Sequence, residues 1–337
     1  MIMIIISNCI MIFSQFRRSR FQHLLATAIA VSLLISLSSR ATAQDKPTVV
    51  ATTSVLCDLA KQIAQETINL KCLIDAGSDP HEYQPKPDDR KAIESAKLIL
   101  YAGYNFEENL MSVIHAVPNS VSKVAVNEVA VPNPIKGDGH DHSGHSHSKS
   151  SEQADPHVFH TADNGIKIAN VISQNLTKIQ PNQATTYTNN TKKLIGELSQ
   201  IHTWIRSQIQ TIPMSQRWLI TTHDAFEYYA RTYNLGVAAT LQGISTDEKP
   251  TALQVAQLVK DIKTLGVPTI FAEMTVNPKL IEAVAREAKV KVSERRLYAD
   301  GIGAPNSEAD SYPKMLIANT RTIVEGLGGK YTPFKLK

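Results

Sequence analysis

Apolar and polar positions along the chain switch repeatedly between a strand pattern and a helix pattern, and their order predicts successive β-α units. The run Pro47-Thr48-Val49-Val50-Ala51-Thr52 is short and continuous, as a buried strand requires. Ser54 is placed to cap a helix that carries Leu56, Leu59, Ala60 and Ile63 on one face. Ile68, Leu70, Cys72 and Ile74 then recur every second residue, the period of a strand. Pro80, Pro85 and Pro87 break the chain. Beyond them a short helix over 88–95, the apolar run Leu98-Ile99-Leu100-Tyr101, a helix over 106–115 and a strand over 121–126 continue the alternation.

Helical periodicity returns over 164–179 and again over 181–212, where Pro181 suits a first turn and Tyr187, Leu194, Leu198, Ile201, Trp204, Ile205 and Ile209 form one stripe. A helix of that length exceeds the needs of one domain and can act as a strut. A second β-α series starts at Trp218-Leu219-Ile220-Thr221-Thr222. It continues with a helix carrying Phe226, Tyr229 and Tyr233, a strand over 236–241, a helix over 251–265 and a strand over 269–274. Asn277-Pro278 opens a helix reaching Ala288, 289–298 is the last strand region, and 312–326 the last helix. The fold class is therefore α/β. Two lobes, each a mostly parallel sheet flanked by helices, occupy 44–180 and 213–337, and one long rigid helix over 181–212 joins them.

Composition changes this picture in three places. Ahead of the first strand, Arg17, Arg18 and Arg20 precede an apolar stretch from His23 to Leu37, and Ala41-Thr42-Ala43 supplies an A-x-A site. The stretch is shorter than the roughly 20 residues of a membrane-spanning helix, so 1–43 is expected to be a cleavable signal peptide that delivers a soluble protein to the periplasm. Met11 is an alternative start, and the absence of cysteine near the cleavage site argues against a lipid anchor. Over 129–154 apolar periodicity stops, and Pro, Gly, Ser, Lys and His take over as an exposed insertion. A net charge of +4, partly in the signal arginines, gives the body no basic surplus, so nucleic acid is not expected as a partner. Cys9 leaves with the signal; an oxidising location permits a disulfide between Cys57 and Cys72, two buried thiols being the alternative.

The insertion also carries the first chemical clue. His140, His142, His145 and His147 crowd a Gly/Ser-rich tract, and imidazole is the commonest protein ligand for zinc, copper and nickel. With no fixed backbone, these four suit an accessory, low-affinity site. An ordered site needs residues held by the fold. Asp79-Pro80-His81 and Asp155-Pro156-His157 repeat one motif, in which proline fixes the backbone and aspartate is placed to orient the imidazole or hold the turn. His223 follows a strand directly and Asp300 follows Leu297-Tyr298. Ligands of open parallel sheets bind at such strand exits. Three imidazoles and one carboxylate form a sensible tetrahedral zinc set.

Five segments together resemble the cluster A-I solute-binding proteins of ABC transporters, a zinc- and manganese-binding periplasmic family. They are Asp79-Pro80-His81-Glu82-Tyr83-Gln84-Pro85, the His-rich insertion, Asp155-Pro156-His157-Val158-Phe159, Thr222-His223-Asp224-Ala225-Phe226 and Leu297-Tyr298-Ala299-Asp300. The likeness spans nearly all of the mature chain. It implies that His81, His157, His223 and Asp300 are the ligands, two from each lobe, and that a membrane permease of the ABC importer receives the ion. Phe159 departs from the tryptophan common at that place. His160 follows it as an accessory ligand or a surface or supporting residue, Glu82 is a rival carboxylate, and Glu273 ends a strand as a supporting or structural group. His115 and His202 are ordinary helix residues.

The implied function is capture of Zn2+, with Mn2+ as the alternative, by a monomer that takes no small organic substrate. The His223 imidazole and the His-rich tract favour zinc, whereas a carboxylate at that place would shift the site toward manganese. Two rivals are a metal-dependent adhesin on the same scaffold and a zinc hydrolase. The chain has no H-E-x-x-H helix, and four protein ligands leave no coordination position for catalysis, so an enzyme is not expected.

Overall fold

The computed structural model describes residues 46–118, 120–136, 153–247 and 249–337. The expected signal peptide and His140, His142, His145 and His147 lie outside the described residues.

Four parallel strands form the N-terminal sheet: β1 (Thr48–Ala51), β2 (Asn69–Cys72), β3 (Leu98–Tyr101) and β4 (Ser122–Ala125), in the order β2-β1-β3-β4. β1 pairs Val49 with both Leu70 and Leu98, so the two most apolar strands sit centrally, where both faces are covered. Helices α1 (Ser54–Ala64), α2 (Pro87–Glu94), α3 (Glu108–Ala116) and α4 (Val126–Ala130) connect or follow the strands. Thr53, rather than Ser54, caps α1, its hydroxyl accepting from the Leu56 amide. Ser54 is instead the first helical residue, and its hydroxyl accepts from the Ile302 amide of the C-terminal lobe at 3.2 Å. Val129 and Ala130 still belong to α4, Val131 is buried in the core and Ile135 packs against it, so the insertion expected over 129–154 does not begin at 129; an antiparallel bridge joins Lys136 to Ala154.

Two long helices follow, α5 (Ala162–Ile179) and α6 (Ala184–Ile209), the second preceded by a 3-10 turn at Pro181–Gln183. Helix α6 has 26 residues, about 39 Å of axis. Its buried side, Tyr187, Leu194, Leu198, Ile201 and Ile205, packs on α1 and α5 and on the C-terminal helix α10 (Tyr312–Gly326). The principal core is shared: one apolar cluster takes in Leu59, Ile172, Ile201 and Leu316 and so crosses both lobes. Trp204 of the predicted stripe packs instead beneath the C-terminal segment, donating from Nε1 to Thr332 O at 3.0 Å and meeting the Tyr331 and Phe334 rings edge-on.

The C-terminal lobe has β5 (Trp218–Thr221) paired in parallel with β6 (Gly236–Thr240) and β7 (Thr269–Ile270) with β8 (Lys291–Val292). The Phe271 amide joins the two pairs by donating to Ile220 O at 2.9 Å. Helices α7 (Glu227–Tyr233), α8 (Ala252–Leu265) and α9 (Lys279–Ala288) flank them. The strands expected over 269–274 and 289–298 are thus much shorter. Between β8 and the Glu273–Leu297 bridge, where pairing resumes, Arg295 pairs with Glu308 and Glu325 at 3.1 and 3.4 Å.

Cys57 of α1 and Cys72 of β2 are joined in a disulfide with Cα atoms 5.6 Å apart, across a sequence separation of 15. Closing such a loop restricts the unfolded chain and contributes about 3 kcal/mol. The Cys57→Ser/Cys72→Ser variant is expected to lose that amount in urea unfolding of the oxidised proteins. An unchanged midpoint would show that native strain cancels the entropic gain.

Candidate metal centre

Both aspartate-proline-histidine segments turn in the same way. The His81 amide donates to Asp79 Oδ1 and the His157 amide to Asp155 Oδ1, each at 2.9 Å. This local bond, with proline fixing the intervening φ, aims the two imidazoles into the crevice between the lobes. From the opposite side His223 follows β5, and Asp300 follows the Leu297 bridge. The four side chains converge there. His157 Nε2 lies 3.3 Å from both His81 Nε2 and His223 Nε2, and Asp300 Oδ1 lies 3.7, 3.4 and 3.1 Å from the Nε2 atoms of His81, His157 and His223. All four atoms are within 4.8 Å of one another, and all four residues are buried.

Outer partners fix each ring. His157 Nδ1 donates to Asp155 Oδ1 at 2.8 Å and His223 Nδ1 to Glu273 Oε2 at 2.5 Å, which turns both Nε2 lone pairs toward the centre. Glu273 also accepts the Thr222 and His223 amides, at 2.9 and 3.0 Å, and so sets the backbone as well as the ring. Asp300 Oδ2 accepts from Thr275 Oγ1 at 2.5 Å, whereas its buried Oδ1 faces the three imidazole Nε2 atoms. Phe106 stands edge-on to His81 and His157, centroids 5.0 and 5.2 Å away, and walls the site off with apolar surface. Beneath it Glu107, which sequence reading did not mark, accepts from Thr52 Oγ1 and the Ala102 amide, both at 2.7 Å; burial pushes its carboxyl up to about 7.

The electrostatics are uneven. Burial pushes His81 down to about 3. Burial also opposes charge on His223, but Glu273 and Asp300 outweigh it and hold its pKa well above the ordinary value. His157 is raised too, burial being overcome by Asp155 and Asp300. Asp300 is buried, yet the surrounding imidazoles hold its carboxyl well below the usual range.

Other candidates fall elsewhere. Glu82 is exposed on the loop beside His81, and His115 is exposed on α3. His202 of α6 pairs with Asp163 at 3.2 Å. His160 is buried, which excludes a surface role, and its Nε2 points to Ala299 O rather than to the cluster. The two aspartates of the repeated motif also diverge. Asp155 orients a ring, while Asp79 Oδ2 reaches across to Thr246 Oγ1 of the C-terminal lobe at 2.7 Å.

Two sheet-bearing lobes on a long helix, with a buried donor cluster between them, define a substrate-binding component of a metal-transporting ABC system. The chain belongs to the family described as "Zinc-uptake complex component A periplasmic", whose model matches residues 49–326. It is 30% identical over 294 residues to the metal ABC transporter substrate-binding lipoprotein ScbA of Streptococcus cristatus, covering 86% of this chain and 92% of that one. It is 28% identical over 304 residues to the manganese ABC transporter substrate-binding lipoprotein PsaA of Streptococcus pneumoniae, covering 90% and 96%. Among solved structures, the periplasmic zinc-binding protein TroA of Treponema pallidum superposes with a TM-score of 0.77 at 29% identity, over 84% of this chain and 99% of that one. The α/β two-lobe architecture read from the sequence is that of TroA.

Proposed function

We propose that this chain captures one divalent transition-metal ion outside the cytoplasmic membrane through His81, His157, His223 and Asp300 and delivers it to the permease of an ABC importer. The carrying observation is the spacing of the four donor atoms. A tetrahedral shell with metal–nitrogen distances of about 2.0 to 2.1 Å has edges of about 3.3 to 3.4 Å. Five of the six separations fall between 3.1 and 3.7 Å. The buried Asp300 Oδ1 fits as well, because it faces the three imidazole Nε2 atoms and a cation among them would balance its charge.

Zinc is the proposed cargo. Three imidazoles and one carboxylate at tetrahedral spacing suit it, while manganese prefers more oxygen donors and a larger shell. Manganese is the second reading, supported by the naming of the pneumococcal relative. A closed set of four protein ligands supports binding rather than turnover, which speaks against the hydrolase. The family description and the disulfide support a periplasmic location for a mature chain cleaved after Ala43. Lobe limits of 44–180 and 213–337 around a linking segment at 181–212 belong to the same proposal.

Calorimetric titration with Zn2+ and Mn2+ tests both the site and the metal. A variant lacking 140–147 is expected to keep one tight equivalent of Zn2+ and to lose only weaker equivalents. Loss of the tight equivalent would place the principal site in the insertion and overturn the assignment.

A further inference from the structure

His160 stands outside the ligand set, yet no part of it reaches solvent. Its ring centroid is 4.7 Å from that of Phe159 in its own lobe, tilted, and 4.3 Å from that of Phe226 in the other, stacked, so aromatic rings of both lobes pack against it. Its Nε2 lies 2.7 Å from the carbonyl oxygen of Ala299, across 139 positions of sequence. A carbonyl only accepts, so Nε2 carries the proton and Nδ1 is bare. Among the described residues that buried Nδ1 has no hydrogen-bond partner, an unfavourable state that an apolar side chain of similar size would avoid. Packing alone therefore gives no reason for histidine at this position; the bond to Ala299 does.

Ala299 immediately precedes Asp300. On its other side Tyr298 is fixed by Asn319 of α10, whose side chain accepts from the Tyr298 amide at 2.8 Å and donates to its carbonyl at 2.9 Å. Asn319 thus holds the segment from within the C-terminal lobe, and His160 holds it from the N-terminal lobe. Any movement that separates His223 and Asp300 from His81 and His157 must also stretch the His160–Ala299 bond, because it spans the same junction.

We propose that His160 is a positioning residue for metal capture: its bond to the Ala299 carbonyl keeps Asp300 at ligating distance and slows release of the ion. The inference rests on the ligand set proposed above. The test is the rate of Zn2+ release to excess chelator from the wild type, His160→Asn and His160→Gln, with thermal unfolding of each metal-free protein and the visible spectrum of each Co2+ form. Asparagine's amide reaches only the Nδ1 position, whereas glutamine's reaches Nε2 and can donate to Ala299. His160→Asn is expected to release Zn2+ about 10- to 100-fold faster, the usual effect of losing an outer partner, with an altered Co2+ spectrum. His160→Gln is expected to release it at close to the wild-type rate.

A wild type that binds neither Zn2+ nor Mn2+ overturns the ligand assignment itself. Tight binding by the wild type with unchanged release from His160→Asn overturns this inference alone. So does equally fast release from both variants in step with a common fall in melting temperature, since the role would then be packing. Should His160→Asn not fold, accelerated release from His160→Gln still overturns the proposal, and release at the wild-type rate supports it.

Discussion

Asp300→Asn is expected to weaken Zn2+ binding by about 10^2- to 10^3-fold. A structural zinc site contributes roughly 10–16 kcal/mol, so one of four ligands accounts for about 2.5–4 kcal/mol, which converts to about that factor. Asp300 supplies the only formal charge among the four donors, and its Oδ1 stands within 3.7 Å of all three imidazole nitrogens. Asparagine keeps the volume and can keep a contact with Thr275, so the metal-free fold is expected to persist. Stabilisation by ligand follows the ratio of free metal to Kd, and reaches about 4 kcal/mol at a thousandfold excess over Kd. At the same free Zn2+, the variant should therefore lose most of the metal-induced rise in Tm. Competition against a chelator of known affinity measures the change, and wild-type affinity in Asp300→Asn would remove the carboxylate from the site.

Acidification is expected to weaken binding steeply, and from a pH higher than ordinary histidines would give. His223 and His157 titrate above their usual value because Glu273, Asp155 and Asp300 favour their charged forms against the cost of burial. Near neutrality the metal-free site therefore carries protons where the ion must bind, and capture releases them. His81, held at about 3, costs no proton. The affinity should fall by about one to two decades per pH unit on descending through the raised histidine pKa values. Metal-free stability has the opposite sign on the alkaline side. The raised histidines contribute fully below their unfolded pKa of about 6.5 and lose that contribution as pH rises through their folded values. The depressed Asp300 contributes above its unfolded value of about 3.9 and loses that contribution as pH falls toward its folded one. Between those limits the metal-free protein is best stabilised, so the Tm gain from Zn2+ should grow from pH 5.5 to 7.5. A gain independent of pH would show that no proton competes with the ion.

Much of the scaffold was legible because it is encoded locally. The helix at Tyr312–Gly326 and the strand at Leu98–Tyr101 fall where apolar period and flanking residues put them. The strand expected over 289–298 is only partly formed, at Lys291–Val292 and the Leu297 bridge; between them Arg295 bonds to Glu308 and Glu325, partners that hydropathy cannot anticipate. In the site, the paired turns were readable from Asp79-Pro80-His81 and Asp155-Pro156-His157, since the bond from aspartate to the histidine amide spans two residues. What each aspartate does with its remaining capacity was not, because Asp155 meets its own histidine while Asp79 meets Thr246. Glu273 could be noticed only as a carboxylate at a strand end; its three bonds to the Thr222–His223 segment come from 50 residues away.

By itself, the sequence determined the alternation of strands and helices, the long helix and the turns that carry His81 and His157, since period and turn chemistry act over a few neighbours. Tertiary structure alone decided that three imidazoles and a carboxylate meet within 4.8 Å, which ring nitrogens face one another and which charges surround them. Those outcomes depend on contacts between segments distant in the chain, formed when the two lobes close over one shared core and exclude water from it.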